Sequence, residues 1–378
     1  MKKPYMFSIG LVIHDFVFGG SERIAIRLAN HWAQQGFSVV LFAGSERGEM
    51  RGLLDPQVRL VRAPSAISRT HFSMWQVAEK AAAYFRQHPV AACFVPGNYH
   101  WPVAYKLGCL PLEVRPVILT QISSPIYKPG RNAWAQKFFN IRMRFLLRNT
   151  DRLVALDRTT AAQADALFRR SVAEAIPLPA LPASLPAPKA VESGNYAILA
   201  AGRLTHAKGF DLLLKAFASV ARVYPAASLT VCGAGPDHQA LLDQARSEGL
   251  QDQVTLTGYV ADIGPYLDKA RLFVLSSRRE GYGAVILEAL ATGRQVITTA
   301  CTPAADDFAS HPEAVRVVPV EDADALAQAM ITALAQPAPD AQGLADLVQP
   351  FSITCGGQMY LSLMSSLLCR RGAVKAVS

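Results

Sequence analysis

The feature that most constrains the fold is a strand–turn–helix pattern that the chain repeats. Residues 6–13 form a short apolar run typical of a buried strand, and two glycines follow it. Residues 22–35 have the spacing of an amphipathic helix with Ser21 as its N-cap, and 37–43 are the next apolar run. These segments predict a β-α-β unit and a parallel sheet. Further strands of this sheet are predicted at 91–95, 116–120 and 152–156.

The pattern stops at a proline-rich segment and then starts again. Residues 177–190 contain five prolines in fourteen positions, which excludes a helix or a central strand and favours a semi-rigid linker. Beyond it, apolar runs again alternate with helical segments, which predicts a second doubly wound α/β domain. Its predicted strands are 196–202, 228–235, 253–258, 271–277 and 294–300, and its predicted helices are 209–225, 236–248, 261–269 and 280–293.

The predicted organisation is therefore two domains and a returning tail. The N-terminal domain spans 1–176, the linker 177–190 and the C-terminal domain 191–350. An apolar, helical tail over 351–378 is expected to pack back on the N-terminal domain. With 378 residues, of which 51% are hydrophobic, both domains can bury a core.

Several other classes of protein are excluded by the composition. No apolar run approaches the ~20 residues that a membrane-spanning helix needs. The basic N-terminus reaches Asp15 before any small-residue cleavage site, so a first core strand is expected there rather than a signal peptide. The six cysteines include no Cys-x-x-Cys pair, which argues against a zinc site and a disulfide framework. The same cysteine usage favours a reducing, cytoplasmic compartment.

Positive charge is concentrated in the N-terminal half. Residues 1–188 carry 23 Lys and Arg against 11 Asp and Glu, whereas the rest of the chain carries 15 against 18. The densest segment, 131–152, interleaves six basic residues with aromatic ones. Such a helix can lie on an anionic membrane surface, and the pattern is equally typical of an amphipathic helix on its own core. Nucleic acid is a third alternative, but no nucleic-acid-binding motif accompanies the charge, so no such partner is expected.

Glycine-containing loops follow predicted strands at the place where open parallel sheets bind ligands. Gly19 and Gly20 precede the first helix, whose free N–H groups can approach a phosphate, although an ordinary helix-entry turn is the alternative. The loop 202–209 carries Arg203 and Lys208. Two fixed cations can neutralise a leaving diphosphate without a metal, and a solvated basic loop is the alternative.

A third loop carries two carboxylates. Glu280 and Glu288 are eight residues apart, about two turns if the segment is helical throughout. Glu288 is then expected to project from the second or third turn. Carboxylates accept hydrogen bonds from the vicinal hydroxyls of sugars and ribose, and the backbone of 281–283 can face the same ligand. A surface pair is the alternative, but the mostly apolar segment between the two favours a ligand-facing role.

Together these motifs resemble the GT-B glycosyltransferases, specifically glycosyltransferase family 4. The resemblance rests on GGSER at 19–23, GRLTHAKG at 202–209, VCGAG at 231–235, GYV at 258–260 and EGYGAVILEALATG at 280–293. It implies two Rossmann-like domains that face each other across a cleft. It also implies a retaining enzyme that takes a nucleoside-diphosphate sugar as donor and needs no bound metal or cofactor.

The same resemblance implies roles for individual residues. Arg203 and Lys208 would hold the diphosphate and stabilise the leaving group, and Glu280 would contact hydroxyls of the transferred sugar. Glu288 would bind the ribose. The remaining donor contacts, to base, phosphates and sugar, are expected from Gly19, Gly20, Gly202, Gly258, Tyr259, Val260, Gly281, Tyr282, Gly283, Ala284 and Val285.

The acceptor side departs from the family. Many relatives carry a histidine after the strand that matches 116–120, and this chain has none there. The candidates for acceptor contact are therefore Asn98, His100, Gln121, Ser123 and Ser124, with a structural role as the alternative for His100.

The resemblance and the basic N-terminal half suggest a glycan or lipid-linked saccharide as acceptor. This points to synthesis of lipopolysaccharide, exopolysaccharide or another cell-envelope polysaccharide on the inner face of the plasma membrane. A catalytically degenerate partner protein that binds nucleotide sugars is the alternative. An oxidoreductase is disfavoured because G-x-G-x-x-G does not follow the first strand.

Overall fold

A computed structural model describes residues 6–17, 19–127, 131–185 and 187–372. The chain divides into one unit made of Met1–Ala180 and Ser352–Ser378 and a second unit made of Leu181–Phe351. Residues 1–5, 18 and 128–130 of the predicted N-terminal domain lie outside the described residues. The same holds for Pro186 of the predicted linker and for residues 373–378 of the predicted tail. The first unit joins the second within the predicted linker, between Ala180 and Leu181.

The first unit contains a parallel sheet of seven strands. They are β1 (Ser8–Ile13), β2 (Ser38–Ala43), β3 (Arg59–Arg62), β4 (Ala92–Val95), β5 (Val117–Ile122), β6 (Arg152–Ala155) and β7 (Ala173–Ala175). Their order is β3-β2-β1-β4-β5-β6-β7, so the direction of winding changes between β1 and β4. The helices that follow these strands are α1 (Gly20–Gln34), α2 (Ser73–Gln87), α3 (Trp101–Gly108), α4 (Ala133–Leu146) and α5 (Arg158–Phe168).

The second unit contains a parallel sheet of six strands. They are β8 (Ala197–Ala201), β9 (Ser228–Cys232), β10 (Val254–Leu256), β11 (Leu272–Leu275), β12 (Gln295–Thr299) and β13 (Val315–Val318). The order is β10-β9-β8-β11-β12-β13, and the winding changes between β8 and β11. The helices are α6 (Phe210–Val223), α7 (His238–Ser247), α8 (Gly264–Leu267), α9 (Val285–Ala291), α10 (Pro303–Asp307), α11 (Ala323–Ala335) and α12 (Ala341–Asp346).

The last helix of the chain, α13 (Ile353–Arg370), belongs to the first unit. Ser352 caps it by accepting a hydrogen bond from the Cys355 N–H. Tyr360 is fully buried, and its ring meets those of Trp32 and Phe94 at centroid distances of 6.2 and 5.0 Å. A capped helix that buries an aromatic residue against α1 and β4 explains why this apolar tail is helical.

The structure confirms the predicted α/β class and two doubly wound sheets. Every predicted strand is present because buried parallel strands need continuous apolar runs, which the sequence displays. The N-cap of α1 is Gly19, which makes no side-chain cap, so the prediction that Ser21 caps this helix is wrong. The short edge strands β3, β7 and β13 were not predicted. No helix of the described residues has both the length and the apolar character needed to cross a bilayer.

Candidate functional site

An ion pair between Lys208 and Glu280 marks the switch point of the second sheet. Lys208 ends a 3-10 turn, His206–Lys208, that follows β8, and Glu280 lies in the loop after β11. Their side chains are only 24% and 13% exposed. Glu280 also accepts a hydrogen bond from the Gly281 N–H at 3.3 Å. Because β8 and β11 are neighbours, the structure brings together two predicted site residues that are 72 positions apart.

Arg278 fastens the two loops that carry this ion pair. Its guanidinium donates to both carboxylate oxygens of Asp211, at 2.6 and 2.7 Å, and to the His206 carbonyl at 2.9 Å. It also pairs with Glu321, and its backbone N–H donates to the Ala207 carbonyl at 2.9 Å. The hydrogen bonds from Arg278 hold the pKa of Asp211 below its usual value. No sequence motif pointed to Arg278.

Backbone crowding fixes the neighbouring loops. Gly209 has φ +63°, and a Cβ added there would lie 2.1 Å from the Ser276 carbonyl oxygen. A Cβ on Gly233 would lie 1.8 Å from the Gly202 carbonyl oxygen. Gly233 also donates its N–H to the Gly258 carbonyl at 2.9 Å, which ties the loops after β9 and β10 together. Gly209 and Gly233 are therefore required by contacts between backbones.

Four further predicted donor residues lie on these loops. Arg203 is exposed, and it makes no hydrogen bond or ion pair within the described part of the chain. Gly258 has φ +74°, Tyr259 is 57% exposed and Val260 is half-buried. The exposed guanidinium and phenol leave these side chains accessible to a ligand.

The helix that carries Glu288 is shorter than predicted. It begins at Val285, so Glu288 lies in its first turn, and the prediction that it projects from the second or third turn is wrong. Gly283 has φ +86°, which an α-helix does not allow, and the hydroxyl of the buried Tyr282 donates to Asp307. The segment 281–283 is thus anchored as a loop, and Ala284 is the N-cap residue.

Cys301 lies close to the ion pair and was not predicted. Burial raises the pKa of its thiol, while the charges of Glu280 and Lys208 raise and lower this pKa, respectively. The Thr299 hydroxyl donates to its sulfur at 3.2 Å. Within the described ranges, no three His, Cys, Asp or Glu side chains are grouped so that they could hold a metal ion.

In the first unit, three loops meet at the carboxyl ends of β1, β4 and β5. A Cβ on Gly97, which has φ +70°, would lie 2.4 Å from the Ser21 Oγ and 3.0 Å from the Ser123 Oγ. The Asn98 Oδ1 accepts from the Ser123 N–H, and its Nδ2 donates to the Ser124 Oγ, both at 2.9 Å. The structure therefore brings Asn98, Ser123 and Ser124 together, beside the turn that precedes α1.

Two other acceptor candidates do not join this group. Gln121 is buried, and its amide donates to the Tyr360 hydroxyl on α13 at 3.2 Å. His100 is fully buried, and burial lowers its pKa to about 4, so the ring is neutral at neutral pH. Its Nε2 lies 3.9 Å from a carboxylate oxygen of Glu22, beyond hydrogen-bond distance.

A buried polar network next to this group was missed. Arg69 donates to both carboxylate oxygens of Asp15, at 2.6 and 2.7 Å, and to Glu22 at 3.1 Å. The His14 ring lies 2.9 Å from both Asp15 and the Ser73 Oγ, one through each nitrogen. The position of Asp15 directly after β1 was the available sequence signal, whereas nothing local to Arg69 or Ser73 indicated their role.

Hydrogen bonds to Asp15 explain why this carboxylate can be buried in its charged form. Burial alone would raise the pKa of Asp15, but hydrogen bonds from Arg69, the Val17 N–H and His14 outweigh it and hold the pKa below its usual value. The hydrogen bonds from Arg69 to Asp15 likewise raise the arginine pKa. A carboxylate of Glu22 occupies the place where a Cβ on Gly19 would be, 2.3 Å away, so the network also borders the glycine turn.

Two sequence models of known families match the chain. One, described as "Glycosyl transferase 4-like domain", matches residues 19–179, and the other, "Glycosyl transferases group 1", matches residues 195–336. The chain is 23% identical over 300 residues to an uncharacterized glycosyltransferase of Haemophilus influenzae, which covers 78% of this chain and 81% of that protein. It is 29% identical over 150 residues to the lipopolysaccharide core biosynthesis mannosyltransferase LpcC of Rhizobium leguminosarum, covering 38% and 42%.

Among solved structures, the fold is similar to that of Anabaena HepE in complex with UDP-glucose. The TM-score is 0.71 at 16% sequence identity, and the alignment covers 95% of this chain and 100% of that one. At this level of identity the similarity concerns the fold, which is GT-B.

Proposed function

Because the chain belongs to the group 1, family 4-like glycosyltransferases of the GT-B fold, we propose that it transfers a sugar from a nucleoside-diphosphate sugar to a glycan or glycolipid acceptor, with retention of anomeric configuration. The observation that carries this proposal is the ion pair of Lys208 with Glu280, in which Lys208 lies on the same loop as the exposed Arg203. The pair lies where the winding of the second sheet changes, which is where open α/β sheets bind ligands.

The charges around Lys208 fit a diphosphate. A half-buried ammonium needs an anionic partner, and Glu280 supplies one before the donor arrives. The diphosphate of the donor then becomes a second anionic partner, and Arg203 provides a guanidinium for bidentate contact to phosphate oxygens. Glu280 keeps a second carboxylate oxygen that can accept from a hydroxyl of the sugar. HepE, whose fold is similar, was crystallised with UDP-glucose, which supports a donor of this class.

In the proposed reaction, the bond between the anomeric carbon and the diphosphate oxygen breaks, and a bond to the acceptor oxygen forms on the same face. The electron pair of the broken bond goes to the diphosphate, and the acceptor hydroxyl proton passes to a leaving phosphate oxygen. Arg203 and Lys208 stabilise the charge that develops, at about 3 kcal/mol each. The proposal includes no resident metal or cofactor, since two fixed cations can carry this charge.

The remaining donor contacts follow from the loops of the second unit. Glu288 binds the ribose, the backbone of 281–285 contacts the sugar, and the loop 258–260 holds the base. Gly202 lets the Arg203 loop approach the phosphates. Gly19 and Gly20, which lie in the first unit, stay donor contacts predicted from the sequence. The exposed Tyr259 supports this assignment because an accessible ring offers a face for stacking on a base.

The acceptor is proposed to be a saccharide of the cell envelope, such as a lipopolysaccharide core, handled at the inner face of the plasma membrane. One relative, LpcC, is a lipopolysaccharide core mannosyltransferase. Asn98, Ser123 and Ser124 form a neutral, hydrogen-bonding group suited to sugar hydroxyls. Gln121 and His100 are buried and are not included in the proposed acceptor site.

The first test is a thermal-shift panel of nucleoside diphosphates and their sugars. A ligand at 100 times its Kd stabilises the protein by about 2.7 kcal/mol, so the correct donor raises the unfolding temperature most. Transfer from that donor is then measured for Lys208→Ala and Glu280→Gln, with the exposed Lys215→Ala and Glu192→Gln in the same unit as matched controls. We expect roughly hundredfold losses in the first two variants and wild-type rates in the controls.

Two results would contradict the proposal in different ways. If no nucleoside diphosphate raised the unfolding temperature, the donor site would be assigned wrongly. If a nucleotide sugar bound but neither transfer nor hydrolysis followed with any saccharide acceptor, the chain would instead be a binding partner without catalysis.

A further inference from the structure

Helix α4 presents an apolar stripe to solvent. We define this aromatic stripe as Trp134, Phe138, Ile141 and Phe145, whose side chains are 80%, 70%, 57% and 47% exposed. Large apolar residues scattered singly on a surface need no explanation, but a contiguous row of four does.

The stripe and the buried face of α4 lie on opposite sides of the helix. At about 100° per residue, the spacing of 4, 3 and 4 positions between stripe residues keeps all four within a narrow sector of the helix surface. Met143 and Leu146 are the residues of α4 that are buried in the core of the first unit, and Met143 projects roughly opposite to this sector. The helix thus packs on its own core with one face and still leaves a second apolar face uncovered.

Basic residues border the aromatic stripe on both sides. By the same helical spacing, Arg142 lies along one edge, and Lys137 and Arg144 lie along the other; all three are exposed. Between Glu113 and Asp151 the sequence has no acidic residue at all. The charge that α4 and its flanking residues carry is therefore purely positive.

Two of the stripe's aromatic rings are associated with cations. The Lys137 ammonium lies 5.7 Å from the Trp134 ring centroid. Arg148 lies 5.0 Å from the Phe145 ring centroid and 5.1 Å from that of Tyr105, and these two rings stack at 4.9 Å. Such contacts hold the basic groups at the level of the rings, which is the arrangement of an amphipathic helix at a lipid headgroup layer.

We propose that the first unit docks on anionic lipid through α4, with the aromatic stripe inserted at the headgroup boundary and the flanking cations bound to lipid phosphates. Aromatic residues are favoured at this boundary because a large apolar ring can enter the acyl region while a nearby polar group stays hydrated. The absence of acidic residues from this stretch favours an anionic lipid surface over a protein partner, whose interfaces usually mix both signs of charge. The inference does not depend on the reaction proposed above.

Vesicle sedimentation tests the docking. The full-length protein is mixed with neutral phosphatidylcholine vesicles and with vesicles that also contain phosphatidylglycerol. Each basic residue near an anionic surface contributes enough to change partitioning about fivefold, so Lys137→Gln with Arg144→Gln should weaken binding roughly thirtyfold. Lys215→Gln with Arg222→Gln, exposed cations of α6, is the matched charge control and should leave binding unchanged.

The aromatic residues are tested separately. Trp134→Ala with Phe138→Ala should abolish binding, whereas Phe72→Ala, a 73% exposed aromatic elsewhere in this unit, should not.

Tryptophan fluorescence gives a second readout that reports insertion rather than charge. The chain has four tryptophans, of which Trp32 and Trp101 are fully buried, Trp75 is half-buried and Trp134 is exposed. We expect vesicles with brominated acyl chains to quench the emission of the wild type but not that of Trp134→Phe. Equal recovery on neutral and anionic vesicles, or quenching that persists in Trp134→Phe, would overturn the proposal. Sugar transfer to a soluble acceptor is measured alongside, because loss of docking should leave it unchanged.

Discussion

The two candidate sites lie at equivalent switch points of their sheets but are held by different kinds of interaction. In the second unit, close backbone contacts at Gly209 and Gly233 fix the loops, and the Arg278 side chain adds to them. In the first unit, the loops are held by side chains: the buried carboxylates of Asp15 and Glu22 are both bonded to the partly exposed Arg69.

This difference predicts how well each site tolerates substitutions. The Gly202 carbonyl oxygen lies at the end of a strand and cannot move without breaking the sheet. A Cβ at Gly233 would therefore clash with it. A carboxylate at the end of a flexible side chain can rotate away. We therefore expect the second site to be brittle towards small additions, and the first to be sensitive to loss of charge.

The largest expected effect is on the proposed chemistry of the second site. Arg203→Ala combined with Lys208→Ala should reduce kcat/KM about ten-thousandfold, because each fixed charge contributes about 3 kcal/mol at a leaving group. The fold should stay intact, because Arg203 is exposed and Glu280, which loses its cation, keeps the hydrogen bond from the Gly281 N–H; a small fall in the unfolding temperature would report the lost ion pair. Lys215→Ala with Arg222→Ala is the matched control, and turnover of the double variant within tenfold of the wild type would remove these residues from the mechanism.

Gly233→Ala should have the largest effect on stability. Its Cβ would overlap the Gly202 carbonyl at 1.8 Å, and φ is +154°, so we expect the free energy of unfolding to fall by at least about 3 kcal/mol. Urea unfolding followed by circular dichroism measures the loss. A fall of less than 1 kcal/mol would show that the backbone can adjust and that the contrast between the sites is overstated.

Asp15→Asn probes the network of the first site. The change leaves Arg69 without its bidentate partner in a region where Asp15 is 4% exposed, but the 43% exposed arginine is partly solvated. We expect a loss of about 2 kcal/mol, less than for a fully buried pair. Glu46→Gln is the control, because its two arginine pairs are exposed and should contribute less than about 0.5 kcal/mol. Equal losses in both variants would refute the idea that burial makes the network important.

His100 should make the first unit sensitive to acid. Its pKa is lowered from 6.5 to about 4 by burial, so the folded state resists protonation that the unfolded state accepts. This contribution to stability is complete above pH 6.5 and is lost as the pH falls towards 4. Between pH 7 and pH 5 the free energy of unfolding should fall by about 2 kcal/mol for this reason. The measurement is the pH dependence of unfolding in wild type and His100→Gln; identical slopes would contradict it.

Gly20→Ala should have the smallest effect on stability. No atom lies within 4 Å of a Cβ added there, and the position is the first of α1. We expect the free energy of unfolding to stay constant or to rise by up to about 1 kcal/mol, because alanine restricts the unfolded chain. A loss above 1 kcal/mol would mean that the first glycine turn is as crowded as the second site.

Much of the second site could be predicted because its signals are local. The apolar runs mark strands, the glycines mark loops where backbones meet, and Arg203, Lys208 and Glu280 lie in or next to those loops. The helix start at Val285 could not be predicted, because it depends on Asp307 and Thr302 anchoring Tyr282 through its hydroxyl and its carbonyl, respectively. Similarly, Arg278 carries no motif, and its role arises from contact with Asp211.

The first site was predicted only in part. Asn98, Ser123 and Ser124 follow predicted strands and do come together. Gln121 lies on β5 shortly before Ser123 and Ser124, but its amide is bonded to the Tyr360 hydroxyl of α13, a contact across 239 positions that no local pattern indicates. The sequence indicated that α4 is a basic and aromatic segment. It could not indicate which of the two apolar faces of this helix is buried, because both faces carry apolar residues.

The sequence by itself determines the alternation of strand and helix, the division into two domains and the loops able to bind a phosphate. Each of these features depends on residues only a few positions apart. The order of strands decides the rest. Lys208 reaches Glu280 and Asp15 reaches Arg69 across 72 and 54 positions because folding places their strands and loops side by side. Contacts at such separations depend on packing and on the entropy of closing the chain between them, and neither leaves a local mark in the sequence.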